Sequence, residues 1–274
     1  MNASVNTVPM RPRRQKNVPV WLRAWNVVVI ALLILPVMIV IPMSFSGARN
    51  FSFPPKGFSL RWYENFFSSA KWMDSLLASL QVGVLSAVVA TVLGTLAAVA
   101  IARMSPRFSS LLSSVYMAPM IVPGVIFAVA IYAVFLRWQL TGGLFGFVAA
   151  HTMLALPFVI TSVSSSLSGY NAGLTTAASS LGAGPVKAFV TVTLPLILPG
   201  VVSGFVLAFV TSFDESVVSL FLATPALKTL PVNMYDAIAT EIDPTVSAAA
   251  TLVILVTTIV VVLAQVLPGR KKRK

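Results

Sequence analysis

Two adjacent carboxylates, Asp214 and Glu215, interrupt an apolar run, and His151 is the only histidine in the chain. Ionisable groups at membrane depth cost about 2.5–3.5 kcal/mol each on insertion scales, so their presence points to function. Hydrolysis by paired carboxylates requires both to converge on one point, whereas neighbours on a helix point about 100° apart. The pair therefore does not fit an intramembrane hydrolase. An electronegative lining for a cationic solute needs only one of them, and Asp214 is the candidate, with Tyr132, Trp138 and Tyr235 as aromatic partners for an ammonium. The other reading is that Asp214 and Glu215 mark the outer membrane boundary, paired with Arg137 or Lys228. There is no cysteine, so neither thiolate chemistry nor a disulfide framework is available, and one histidine cannot assemble a metal site. His151 is read as structural.

The elements that must position these groups follow from composition. Hydrophobic residues make up 57% of the 274 residues and charged ones 9%, where a soluble domain carries roughly a quarter charged. Water alone cannot be the solvent. Six apolar runs are long enough to cross a bilayer, at 24–45, 76–102, 109–136, 143–166, 194–222 and 246–267. The expectation is an all-α polytopic membrane protein surrounded by lipid, with a basic cytoplasmic segment 1–23, a transmembrane domain 24–268 and a basic cytoplasmic tail 269–274.

Net charge is +12, but the basic residues cluster at the ends of apolar runs, so they read as topology signals and not as a nucleic-acid footprint. Arg11, Arg13, Arg14, Lys16 and Arg23 precede the first run, and Arg270, Lys271, Lys272, Arg273 and Lys274 follow the last. Both termini are expected inside. The first run lacks a small-residue cleavage site and is read as a permanent span. Measured from Leu194 along a straight helix, Asp214 is then about 30 Å away, in the outer half.

The first outer loop carries Leu60, Trp62, Tyr63, Phe66 and Phe67 at helical spacing, which suits an interfacial helix anchored by aromatic rings. Pro119, Pro123 and Gly124 interrupt the third run, and such breaks require protein or water around the freed backbone groups. No internal repeat is visible, which weighs against carriers built from duplicated halves.

The loop at about 167–193, between the fourth and fifth runs, is too apolar for a solvated linker and too interrupted to cross the membrane. Thr175 to Leu181 reads as a short helix with Ala177, Ala178 and Leu181 on one face, and Gly182, Gly184 and Pro185 end it before a second short helix. Two occupants fit such a face: a groove on a cytoplasmic partner, or the lipid surface.

This loop resembles the signature of permease subunits of binding-protein-dependent ABC importers: Glu-Ala-Ala, three residues, Gly, nine residues, Ile, one residue, Leu-Pro. Here Thr176, Ala177, Ala178, Gly182, Val192, Leu194 and Pro195 stand in register, with Thr176 in place of the acidic residue. The resemblance implies a type I ABC importer permease fold of six transmembrane helices, with a cytoplasmic coupling helix between helices 4 and 5. It also implies a bacterial inner-membrane location and three partners: an ABC ATPase dimer that binds ATP and Mg, a second permease subunit, and an extracytoplasmic solute-binding protein. No Gly-x-x-x-x-Gly-Lys-Ser/Thr run is present, so the chain is not expected to be an enzyme or to hold a cofactor.

Phe213 to Ser219, Thr229-Leu230-Pro231, Tyr235, Asp243-Pro244 and Ala248 to Thr251 are similar to permeases of spermidine/putrescine importers. The acidic motif is shared with importers of phosphonates, ferric iron and thiamine. The competing class is a secondary carrier driven by an ion gradient, which the acidic pair also permits.

Overall fold

The computed structural model describes residues 19–241 and 243–266. The basic clusters Arg11 to Lys16 and Arg270 to Lys274 lie outside the described residues. Among the described residues all named elements are helical. In chain order they are α1 (Val20–Ser44), α2 (Arg61–Ser68), α3 (Ala70–Ile101), α4 (Pro106–Ile121), α5 (Gly124–Arg137), α6 (Leu144–Ser168) and α7 (Gly173–Ser180). There follow α8 (Pro185–Ala188), a π-helical turn Phe189–Thr193, α9 (Leu194–Phe213), α10 (Val217–Leu222), α11 (Leu230–Asp236), a second π-helical turn Ala237–Glu241, and α12 (Thr245–Val266).

The core is a three-helix packing of α3, α6 and α9. Ser86 Oγ on α3 donates to Val148 O on α6 at 3.3 Å. Further along both helices Gly94 lies against Val159, so close that a Cβ on Gly94 would fall 2.7 Å from the valine side chain. α3 and α6 therefore run in the same direction. α6 and α9 run oppositely, because His151 meets Ser212 while Ser162 Oγ donates to Gly200 O at 2.9 Å. Small residues at these crossings let backbones approach within a bilayer, where packing rather than water expulsion holds helices together.

Parallel α3 and α6 require the intervening chain to return once across the bundle. It does so as α4 and α5, two helices bent by 101°. The break follows from Pro123: the residue before a proline is driven out of the helical region, and Val122 is extended at φ −71°, ψ 132°. The third run, expected at 109–136 with interruptions at Pro119, Pro123 and Gly124, is thus a span broken at Pro123. With α4 and α5 taken together, six spans among the described residues are long and apolar enough to cross a membrane.

A second correction concerns the fifth run. Pro185 to Phe213 is one 29-residue helical stretch, so the second short helix expected in the inner loop is the root of this span. At the other end the stretch stops at Phe213 and does not continue to Leu222. Asp214 and Glu215 therefore lie in a break after the span and not within it.

The first outer loop also differs from expectation. Trp62 and Phe66 of α2 are buried, with Trp62 Nε1 donating to Ser46 O at 2.8 Å, and Tyr63 OH sharing a hydrogen bond with Ser44 Oγ at 2.7 Å. Trp62 and Tyr63 fasten α2 to the end of α1, while Phe66 packs with Trp72, Leu230 and Val246, so Trp62 and Phe66 are not headgroup anchors. Phe51, Phe53, Phe58 and Phe67 are the exposed aromatic residues of this region. Asn65 Nδ2 donates to Thr245 Oγ1 at 2.7 Å, which brings the start of α12 to the same end. There Asp243 Oδ1 accepts from the Thr245 N–H and hydroxyl, placing a carboxylate at the start of α12.

Candidate functional site

The inner loop folds as a knuckle. α7 ends on Gly182, whose φ of +86° lies in the left-handed region open to glycine. The Ala183 N–H bonds back to Ala178 O and the Gly182 N–H to Ser179 O, both at 3.0 Å, which closes the turn as a helix C-cap of the Schellman type. Thr176 and Ala177 are exposed and Ala178 is half-buried. Leu181 at the tip is 89% exposed, with Val186 close behind it in sequence and also exposed.

The remaining motif residues lie elsewhere. Val192 belongs to the π-helical turn, Leu194 packs into the α3–α6–α9 core, and Pro195 occupies the first turn of α9. The motif therefore joins a surface knuckle to the root of a buried helix. The joint is made of hydroxyls: Tyr170 OH contacts Thr175 Oγ1 and, at 3.2 Å, Thr193 Oγ1, while the two threonines are 3.3 Å apart.

At the far end of the same helical stretch is the acidic break. Asp214 is exposed. Glu215 turns inward, and its two carboxylate oxygens accept the N–H groups of Val218 and Ser219, each at 2.9 Å. Glu215 thereby satisfies the unpaired donors at the start of α10.

His151 is fully buried beside it. Its Nδ1 is 2.7 Å from Ser212 Oγ, and its Nε2 is 3.1 Å from Ser219 Oγ and 3.9 Å from Glu215 Oε2. The Ser219 hydroxyl donates to Glu215 O at 3.0 Å, so its oxygen is left to accept from Nε2–H. A neutral tautomer with the proton on Nε2 then accepts a hydrogen bond from the Ser212 hydroxyl at Nδ1 and accounts for both contacts. His151, read from the sequence as structural, has two partners, contributed by the end of α9 and by α10. It sits well inside α6.

Lys228, offered by the sequence as a partner for the acidic pair, instead bonds Asp236 at 2.7 Å. Arg137 is exposed at the end of α5 and forms no ion pair among the described residues. Tyr132 packs against Phe221 of α10 with ring centroids 6.4 Å apart. Trp138 and Tyr235 are 67% and 58% exposed, and no described contact joins any of the three rings to Asp214.

A family model described as "Binding-protein-dependent transport system inner membrane component" matches residues 90–274. This chain belongs to that family. Among curated relatives, the spermidine/putrescine transport system permease protein PotC of Haemophilus influenzae is 33% identical, over 89% of this chain and 95% of that one. The putrescine transport system permease protein PotI of Escherichia coli is 29% identical, over 94% of this chain and 95% of that one. Among solved structures, a bacterial ABC transporter involved in the import of the acidic polysaccharide alginate superposes with TM-score 0.69, over 92% of this chain and 96% of its own, at 15% identity. The chain is a multi-span inner-membrane permease with the type I permease fold.

Sequence reasoning missed two parts of this permease, the imidazole junction and the hydroxyl joint. A trace of each was present. Ser212 and Ser219 flank the acidic pair and offer hydrogen-bond partners to a polar group in an apolar environment. Thr175 and Thr193 sit at opposite ends of the inner loop, and only the fold brings them together.

Proposed function

We propose that this permease subunit forms, with a sister permease, the path of a polyamine across the bacterial inner membrane, driven by a separate ABC ATPase dimer and fed by an extracytoplasmic solute-binding protein. ATP and Mg belong to the ATPase. The observation that carries the reading is one helical stretch with a knuckle at its root and an open carboxylate at its tip. The knuckle presents an exposed apolar tip at Leu181, of the kind a groove on a partner buries. Asp214 presents a negative charge where a cationic amine would pass. The names of the two curated relatives support the solute class.

In mechanism, ATP-driven closure of the ATPase dimer favours one orientation of the knuckle, and differential binding to the two orientations shifts the permease between states. The hydroxyl joint at Thr175 and Thr193 hands that motion to α9. The basic residue Arg103, beside the inner loop, is on the cytoplasmic side in this orientation.

The test is uptake of labelled spermidine into membrane vesicles carrying the full transporter. Asp214→Asn is expected to raise KM or depress uptake at least several-fold at unchanged protein level. Uptake that persists after ATP depletion while a proton gradient is maintained would replace the ATP-driven reading with a secondary carrier.

A further inference from the structure

A cavity of about 470 Å³ lies between α4, α6 and α9, on the knuckle side of the acidic break. Its polar wall consists of hydroxyls: Thr161, Ser162, Ser165 and Ser166 on α6, and Ser203 on α9. Ser162 is engaged with Gly200 O. The other four take no part in the hydrogen bonds formed by side chains among the described residues.

That behaviour is unusual at membrane depth, where a hydroxyl facing lipid ordinarily folds back on the carbonyl one turn earlier. Thr91, Thr95 and Thr152 also lack a partner, their oxygens buried, whereas other hydroxyls of this chain fold back. Thr251 and Thr257 on α12 bond Ser247 O and Val253 O at 2.8 and 2.9 Å, and Ser114 on α4 bonds Ser110 O at 3.2 Å. Hydroxyls left open in a cavity need water or a polar solute, which hydrocarbon does not supply.

The cavity is also aligned with Asp214. Eleven residues separate Ser203 from Asp214, which is about 16 Å along the helix and within about 20° of the same face. Its volume falls in the range of small-molecule sites, roughly 300–1,000 Å³. Met117 and Met120 line its α4 wall and adapt readily to irregular ligands.

We infer that this hydroxyl-lined cavity is a binding station for an amine cation on its way inward from Asp214, a reading that rests on the proposed polyamine path. Hydroxyl oxygens accept hydrogen bonds from ammonium groups without neutralising them. A neutral station therefore holds the solute weakly and releases it, where a second carboxylate would hold it.

The chain has no cysteine, so single cysteines report without background from it. In vesicles carrying the full transporter, Ser165→Cys and Ser203→Cys should react with a small cationic methanethiosulfonate roughly tenfold faster than Leu93→Cys on the lipid-facing side of α3, since access governs thiol labelling. Spermidine should slow both reactions several-fold. The double variant Ser165→Ala, Ser203→Ala should raise KM for spermidine several-fold at unchanged protein level. Labelling as slow as at Leu93→Cys, or labelling that spermidine leaves unchanged in vesicles whose unmodified transporter takes up spermidine, overturns the station and leaves the permease assignment standing. Absence of spermidine uptake by the unmodified transporter overturns the polyamine path itself and the station with it.

Discussion

His151 and Glu215 approach to 3.9 Å, yet each directs its hydrogen bonds elsewhere. The imidazole holds two serines, and the carboxylate holds the first N–H groups of α10. Between them Ser219 bonds to both, while the His151 side chain, through Ser212 and Ser219, ties α6 to the end of α9 and the start of α10. Asp214, one residue before Glu215, is thereby fixed by neighbours that do not touch it.

Replacing His151 with Ala should loosen that lock. The buried Ser212 hydroxyl loses its partner and Ser219 keeps only its bond to Glu215 O, and an unsatisfied buried group costs about 1–3 kcal/mol. The expected result is a lower unfolding temperature in detergent together with impaired transport. An unchanged melting profile would remove His151 from its structural role.

The two carboxylates should separate experimentally. Glu215→Ala strips the start of α10 of its acceptor and should cost about 1 kcal/mol of stability, as loss of a helix cap does. Asp214→Asn should leave the melting profile in place and act on uptake alone. Equal stability losses in the two variants would contradict the division of roles.

Most of the architecture was legible because hydrophobic length is a strong signal in a bilayer. Four of the six runs appear as helices shifted by a few residues, and the break at Pro123 was announced by its own ring. The end of the fifth span was not legible. Val217 to Leu222 is as apolar as the helix before it, so hydropathy alone carries the span through to Leu222; the fold ends it at Phe213 because Glu215 recruits the N–H groups that a continuous helix would have used internally. Burial of Trp62 and Phe66 was equally hidden, since an aromatic stripe has the same spacing whether it faces headgroups or a neighbouring helix.

Gly94→Ala tests the crossing of α3 and α6. The added methyl would fall 2.7 Å from the Val159 side chain, and overpacking of this kind costs about 1–3 kcal/mol. A reduced yield of folded protein is expected, with partial recovery when Val159→Ala is combined with it. A variant as stable as the parent would show that the helices separate freely here.

Gly182 offers a cleaner case, because a Cβ there meets nothing within 4 Å. Gly182→Ala therefore carries only the left-handed backbone penalty, about 1–2 kcal/mol, which falls on the knuckle. Gly182→Asp adds a charge to the surface proposed for the ATPase. ATPase-linked uptake should fall in the order parent, Ala, Asp while all three remain in the membrane. Normal uptake by the Asp variant would count against docking at this surface.

The helical stretch from Pro185 to Phe213 spans about 43 Å at 1.5 Å per residue. A rigid strut of that length leaves the two faces of the bilayer little freedom to act out of step. A tilt at its foot displaces its head in the same stroke, so the proposed solute path at Asp214 and the proposed docking surface at the knuckle share a single clock. The π-helical turn near the foot is the one place along this strut where its winding departs from the regular α-helix, and lengthening or shortening the chain there by a residue would turn Asp214 to a different bearing without altering either end.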